Sequence, residues 1–441
     1  MFFKSLSYSL LGAIFIFWFS GCIATDNSFT KVAPGPWRGV LELKKYQVPV
    51  ASKDTIYILY DQFKEGDLPF NFEVVYTDPE HFYLEIINGS ERIRCDSLGF
   101  GRNRRTARDT LTVWFPEYQS YLHAEVRGGA MQGEWVVTTK ENYRIPFYAK
   151  AGQAHRFTPL KETPIADISG EWATLFGIDT DAPDKAIGEF KQNGNHLQGT
   201  FRTETGDYRF LEGTVQGRKF WMSCFDGAHA FLFSGTIHGD SLQGEFLSGV
   251  HHKSLWTAWR DPGFSLGHAD SLTSLKSGAS QISFSLPTPD GRTIAYPGAP
   301  VFDGKIKIFT IMGTWCPNCL DEGEFLKNYL KTNPDAAGEL AVVGFAFERG
   351  RDTAQILSHL LQYKKQRNLP YELVFAGKAG VAEAERVFPS LSKVMAFPTM
   401  IIIDKNNRVR RIHTGFDGPA TSKYAAFQQE FDQLIETLRK E

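Results

Sequence analysis

The chain has 441 residues, more than one ordinary core accommodates, so about three domains are expected. Its 42% hydrophobic and 22% charged residues are those of a globular protein, and a net charge of −2 gives no electrostatic footprint for nucleic acid as a partner. Five cysteines, Cys22, Cys95, Cys224, Cys316 and Cys319, are too few and too scattered for a disulfide scaffold or a zinc ribbon.

Met1 to Lys4 make a short positive start, and the apolar run Leu6 to Phe19 follows. That run is shorter than the roughly 20 residues of a spanning helix and fits a signal peptide. It ends in Phe19-Ser20-Gly21-Cys22, which resembles the lipobox of bacterial lipoproteins, with Phe19 where that family usually has Leu. The resemblance implies a signal peptide over 1–21, lipid on Cys22 and a tether over 22–30. The mature chain would then sit in the cell envelope, held to the membrane by lipid and facing the periplasm, where disulfide chemistry is available. The plainer alternatives are an uncleaved anchor, or a signal peptide with an incidental cysteine.

From about residue 31 the pattern is β. Strand-like runs are Trp37 to Leu43, Asp54 to Tyr60, Phe70 to Tyr76, Phe82 to Ile87, Leu111 to Phe115 and Tyr121 to Val126. Their spacing, with aromatics at 14% and 40 Gly, predicts a barrel or a sandwich. Gln132-Gly133-Glu134 recurs as Gln243-Gly244-Glu245, and Gln198-Gly199-Thr200 is a third copy. Either the β-domain is duplicated (31–155 and 165–262), or one large domain is built of similar hairpins. Cys95 and Cys224 fall one in each half, either as inert buried thiols or as a disulfide. His251-His252 on adjacent strand positions should point to opposite faces, a poor metal site and more in keeping with surface histidines. Arg102, Arg104, Arg105 and Arg108 read as a solvated loop.

Residues 263–280 read as a linker or docking segment. Beyond 281, strands and helices alternate. Strands are expected at Ile282 to Leu286, Lys305 to Met312, Leu340 to Phe347, Tyr371 to Ala376, Thr399 to Asp404 and Val409 to His413. Helices are expected after Cys319, at Ala354 to Lys365 (Ile356, Leu357, Leu360 and Leu361 inward), at Ala379 to Phe388 and at Tyr424 to Lys440. This is an α/β sheet over 281–441.

The strand at 305–312 runs into Thr314-Trp315-Cys316-Pro317-Asn318-Cys319. A Cys-x-x-Cys pair where a strand meets a helix has a physical logic. The helix N-terminus offers free N–H groups and partial positive charge to a thiolate. Cys316 is therefore the expected nucleophile, with Cys319 one turn on to close a disulfide. Pro317 suits the first turn, where its missing N–H costs nothing. Zinc would need further ligands, and none is spaced nearby. A bridge over so short a loop stabilises little.

The Trp-Cys-x-x-Cys motif after a strand resembles the thioredoxin superfamily, and more narrowly the TlpA-like thiol–disulfide oxidoreductases of bacterial envelopes. Gly291, Gly304, Glu322 and Phe397-Pro398-Thr399 support the likeness, while Glu324 stands where that family often has Pro. The resemblance implies a thioredoxin-like fold and a cis Pro398 packed against the cysteines. It implies a proton-relay role for Glu322, and a substrate groove shaped by Trp315, Pro317, Phe397, Pro398 and Thr399. It also implies disulfide exchange with substrate proteins in the reducing direction, recycled by a membrane electron-donor thiol protein, with no metal or other cofactor beyond the Cys316–Cys319 pair. The fold class expected is thus an N-terminal all-β part followed by a thioredoxin-like α/β domain. The rival reading is an envelope binding protein whose β-domains capture a partner or a glycan.

Overall fold

The computed structural model describes residues 32–44, 63–279, 281–350 and 352–441. The segment expected to be a signal peptide, Cys22 and the expected strand Asp54 to Tyr60 lie outside them. Among the described residues no helix is long and apolar enough to cross a membrane.

The first unit is one nine-stranded antiparallel sheet. Its first strand, Gly35–Glu42, lies at the centre, between Asp67–Tyr76 and the last strand, Arg144–Ala151. The sheet ends at Glu91–Cys95 on one edge and Leu98–Asn103 on the other. Phe82–Asn88 alternates buried and half-buried positions, the period-two pattern of a sheet with one covered face. That face carries Trp37, Phe70, Phe72, Leu84, Val113 and Trp135.

The second unit starts at Gly170–Phe176 and ends at His252–Trp259. Its strands form a closed eight-stranded barrel, because Asp184–Asn193 pairs both with Gly170–Phe176 and with His196–Thr203. Eight strands leave an interior that side chains can fill. Here Phe176, Phe201, Phe220, Phe233, Phe246 and Trp256 fill it. The recurring Gln-Gly positions share one local cause. A Cβ on Gly133, Gly199 or Gly244 would stand 1.9, 2.2 or 1.9 Å from a carbonyl oxygen of the neighbouring strand. Only glycine tolerates that approach.

Barrel and sheet share a core. Phe225 leaves the barrel wall to meet Phe70 at 4.6 Å and Trp135 at 5.2 Å between ring centroids. Between the two sheets, buried Arg156 donates to Ile87 O, Asn88 Oδ1, Ser223 Oγ and Ser223 O at 2.9–3.2 Å. Cys95 belongs to the core of the sheet and Cys224 to that of the barrel; both are buried free thiols, so no disulfide joins them.

The third unit is thioredoxin-like. Its five-stranded sheet runs in the order Glu372–Lys378, Leu340–Glu348, Ile306–Met312, Thr399–Ile403, Val409–Thr414. The first three strands are parallel and the last two antiparallel. Ile306–Met312 and Leu340–Glu348 are buried at every position, as strands covered on both faces must be. Pro317–Thr332, Thr353–Gln366 and Tyr424–Lys440 are the main helices. Leu361, expected inward, is 49% exposed, and Tyr363 packs inward instead. Residues 263–279 are docked to this unit. The short helix Ala269–Leu272 brings Asp270 to Arg411 Nε at 2.9 Å and His413 Nδ1 at 2.7 Å, and Leu275 bridges to Leu391. The fold class is therefore all-β followed by thioredoxin-like α/β.

Candidate functional site

Strand Ile306–Met312 ends beside Gly313, and the chain turns into helix Pro317–Thr332 with Cys316 as its N-cap. The Cys319 N–H donates to Cys316 Sγ at 3.3 Å, and the Cys316 thiol reaches Phe397 O at 3.4 Å. Cys316 is 7% exposed and Cys319 only 2%. The outer cysteine thus faces the groove while the inner one is covered. Burial, then the neighbouring Cys316, push the Cys319 thiol well above its ordinary range.

The Phe397–Pro398 bond is cis, and the Pro398 carbonyl accepts the Gly415 N–H at 2.9 Å. The Trp315 ring lies 5.5 Å from that of Phe397, and its Nε1 donates to Phe347 O at 2.8 Å. Thr399 Oγ1 donates to Ala396 O at 2.9 Å, closing the turn before its strand. Trp315, Cys316, Pro317, Phe397, Pro398 and Thr399 are thereby brought to one end of the sheet.

Glu322 lies one turn beyond Cys319 on the same helix, 1% exposed. Thr310 donates to one carboxylate oxygen, and the other, Oε1, has no partner among the described residues. Burial pushes this carboxyl up to about 8, with the Thr310 hydrogen bond pulling the other way.

A second buried carboxyl was not singled out from the sequence. Glu348 accepts Thr314 N at 2.8 Å and Thr314 Oγ1 at 2.7 Å, fixing the residue two before Cys316. Burial raises it to about 7. It ends a strand in ordinary apolar company, and no spacing connects it to the cysteines.

The largest difference from the sequence reading is what faces Cys316. A cleft of about 690 Å³ opens there, bounded by all three units. Trp315, Cys316, Asn318 and Arg349 line it from the thioredoxin-like unit, Lys140 and Tyr143 from the sheet, and Tyr208, Phe231, His251 and His252 from the barrel. The histidines are exposed but do not point to opposite faces. His251 sits in the turn before strand His252–Trp259, outside the pleat, so both rings reach one cleft. The arginine cluster at 102–108 lies in the hairpin between Leu98–Asn103 and Arg108–Phe115, with Arg108 paired to Glu125 at 3.1 Å.

The barrel is also clamped to the cysteine-bearing helix. Arg209, 4% exposed, pairs with Asp321 on that helix, with Glu91 of the sheet at 2.5 Å and with Asp226 at 3.7 Å. Asp207 accepts the Gly418 N–H at 2.9 Å, and burial, reinforced by the Asp321 charge, raises its carboxyl to about 7.

No family model matches the chain, and no curated protein matches it. Solved structures similar to part of it include a thioredoxin-family thiol:disulfide interchange protein from Chlorobium tepidum TLS, at 22% identity, 36% of this chain, 95% of that chain and a TM-score of 0.27. A DsbF homologue from Corynebacterium diphtheriae is similar at 15% identity, 41% of this chain, 98% of that chain and a TM-score of 0.28. A secreted thiol-disulfide isomerase from Corynebacterium glutamicum is similar at 16% identity, 39% of this chain, 98% of that chain and a TM-score of 0.28.

Proposed function

We propose that the chain is a thiol–disulfide oxidoreductase in which Cys316 is the nucleophile and Cys319 the resolving thiol. The observation that carries this reading is the seat of Cys316. It caps a 16-residue helix, accepts the Cys319 N–H and adjoins the cis Phe397–Pro398 bond at the floor of an open cleft. Negative charge on that sulfur faces the positive end of the helix.

In the reducing direction, the Cys316 thiolate attacks one sulfur of a substrate disulfide. That S–S bond breaks, a mixed disulfide forms and the other substrate sulfur leaves as a thiolate. Cys319 then gives up its proton and attacks Cys316 Sγ. The internal disulfide forms and the second substrate sulfur leaves. Two electrons pass from the dithiol to the substrate, and two protons end on its thiols. Glu322, with its free oxygen buried one turn from Cys319, is the group placed to exchange the resolving proton. Trp315, Pro317, Phe397, Pro398 and Thr399 shape the groove.

The reducing direction and a membrane thiol donor belong to the same reading, supported by the TlpA-like sequence features. An envelope location and a lipid anchor at Cys22 are supported by the sequence Phe19 to Cys22.

The test is the reduction potential of the pair, equilibrated against dithiothreitol and glutathione buffers and read by thiol alkylation. A value near or below roughly −270 mV is expected of a reductase, whereas about −120 mV would mark an oxidant. A pair that does not cycle would overturn the function itself.

A further inference from the structure

Two cations line one wall of the cleft above Cys316, Lys140 from the sheet and Arg349 from the residue after strand Leu340–Glu348. His251 and His252 flank them from the barrel, and burial, then Lys140, push His251 below its ordinary range, towards the neutral ring. Arg349 lies over the Trp315 ring at 4.3 Å, and Lys140 over the Tyr143 ring at 4.5 Å. Among the described residues neither forms an ion pair with a carboxylate. Their charges are felt mutually: Arg349 acts on Lys140, both act on His251, and Arg349 senses Cys316. Arg349 feels the negative charge of Cys316 and of Glu348, whereas among the described residues no carboxylate acts on Lys140, so the two cations together still attract an anion that enters the cleft. Glu348, the carboxyl next in sequence to Arg349, is committed to Thr314. The barrel side of the cleft also carries Lys185 with the carboxylates Asp184, Glu204 and Asp207; Glu204 accepts the Gly267 N–H at 3.0 Å and Asp207 the N–H groups of Arg209 and Gly418, and among the described residues none of the three pairs with Lys140 or Arg349.

Resting on the exchange reaction proposed above, we propose that this wall selects the substrate: a polypeptide segment whose disulfide is flanked by Asp or Glu side chains. Cys316 lies at the floor of the cleft, so the reacting disulfide must ride on a protruding, extended segment rather than on a flat surface. Phe397 O, which holds the Cys316 thiol in the free protein, is released when the mixed disulfide forms. It is then open to a backbone N–H of that segment. The carboxylates meet Lys140 and Arg349 while the sulfur meets Cys316. The bond changes are those already given, and no further reactant is needed.

The experiment uses the reduced protein and three cyclic disulfide peptides of equal length, with acidic, neutral or basic flanks. Bis(2-hydroxyethyl) disulfide and oxidised glutathione serve as small probes. The acidic peptide is expected to react about tenfold faster than the neutral one at low salt, and the basic one more slowly. The acidic-to-neutral ratio should fall towards one as salt shortens the screening length, and should fall likewise in Lys140→Gln and Arg349→Gln. Equal rates for the three peptides, with bis(2-hydroxyethyl) disulfide still reduced, would overturn the charge selection and leave the redox chemistry standing. Oxidised glutathione reacting as fast as the acidic peptide would overturn the polypeptide as occupant. Failure to reduce any of the disulfides would overturn the exchange reaction and this proposal with it.

Discussion

Gly206 of the barrel lies directly against Asn318, the residue between Pro317 and Cys319: a Cβ on Gly206 would stand 1.9 Å from Asn318 Nδ2. With φ at +142°, Gly206 also holds a backbone conformation that other residues rarely adopt. A side chain at 206 would have to displace the Asn318 amide and also hold a backbone conformation that favours glycine.

Gly206→Val is expected to force that contact apart and to destabilise the docked arrangement by about 1–3 kcal/mol, the usual cost of overpacking. Thermal unfolding should show the loss. Alkylation of Cys316 by a bulky maleimide should become severalfold faster, because the barrel wall beside it moves away. Unchanged alkylation would mean that the Gly206 contact does not govern access.

Arg209 is the cation on which Glu91, Asp226 and Asp321 converge. Arg209→Met leaves three carboxylates facing one another under cover. A loss of about 3–5 kcal/mol is expected from denaturant unfolding, as for any buried charge cluster robbed of one partner. Arg209→Lys should recover part of it, since one ammonium cannot reach three acceptors in the guanidinium's fork geometry.

Phe225 carries the barrel into the core of the sheet. Phe225→Ala is expected to cost about 3–5 kcal/mol. The earliest unfolding transition should move most, followed through the fluorescence of Trp135, whose ring stands 5.2 Å from Phe225.

Burial lifts the Glu322 carboxyl from 4.5 to about 8. Folding therefore carries no penalty from Glu322 below pH 4.5, an increasing one as pH rises, and the full one above about pH 8. Relative to Glu322→Gln, the wild type should lose stability across that window, at up to about 1.4 kcal/mol per pH unit. Thr310→Val removes the hydrogen bond to the charged form and should shift the upper end of the window to higher pH. Paired melting curves of the three proteins across pH decide it. In Glu322→Gln the resolving step should slow by about 10²-fold, the low end of general acid–base contributions.

Several of these relationships were legible in the sequence and others were not. Cys316-Pro317-Asn318-Cys319 could be found because its chemistry depends on local spacing at a strand–helix junction. The α/β order beyond 281 could be found because apolar periodicity is local as well. Leu361 was misjudged because the apolar period marks Leu360 and Leu361 alike, and which of two neighbouring leucines is covered falls to the packing partner. Glu348 escaped notice because its link to Thr314 spans 34 positions and leaves no periodic trace.

By itself the sequence determined the Cys316–Cys319 spacing at a strand–helix junction, the thioredoxin-like unit that holds it and the β character of what precedes it. These follow from interactions between residues close in the chain. Only the tertiary structure decided that the first sheet stays open while the second closes into a barrel. It alone decided that Cys95 and Cys224 belong to separate cores, and that Lys140, His251 and Arg349 stand together at one cleft above Cys316. The reason is physical: closure, core membership and charge convergence depend on how distant surfaces pack, and residues more than a hundred positions apart carry no local sign of meeting.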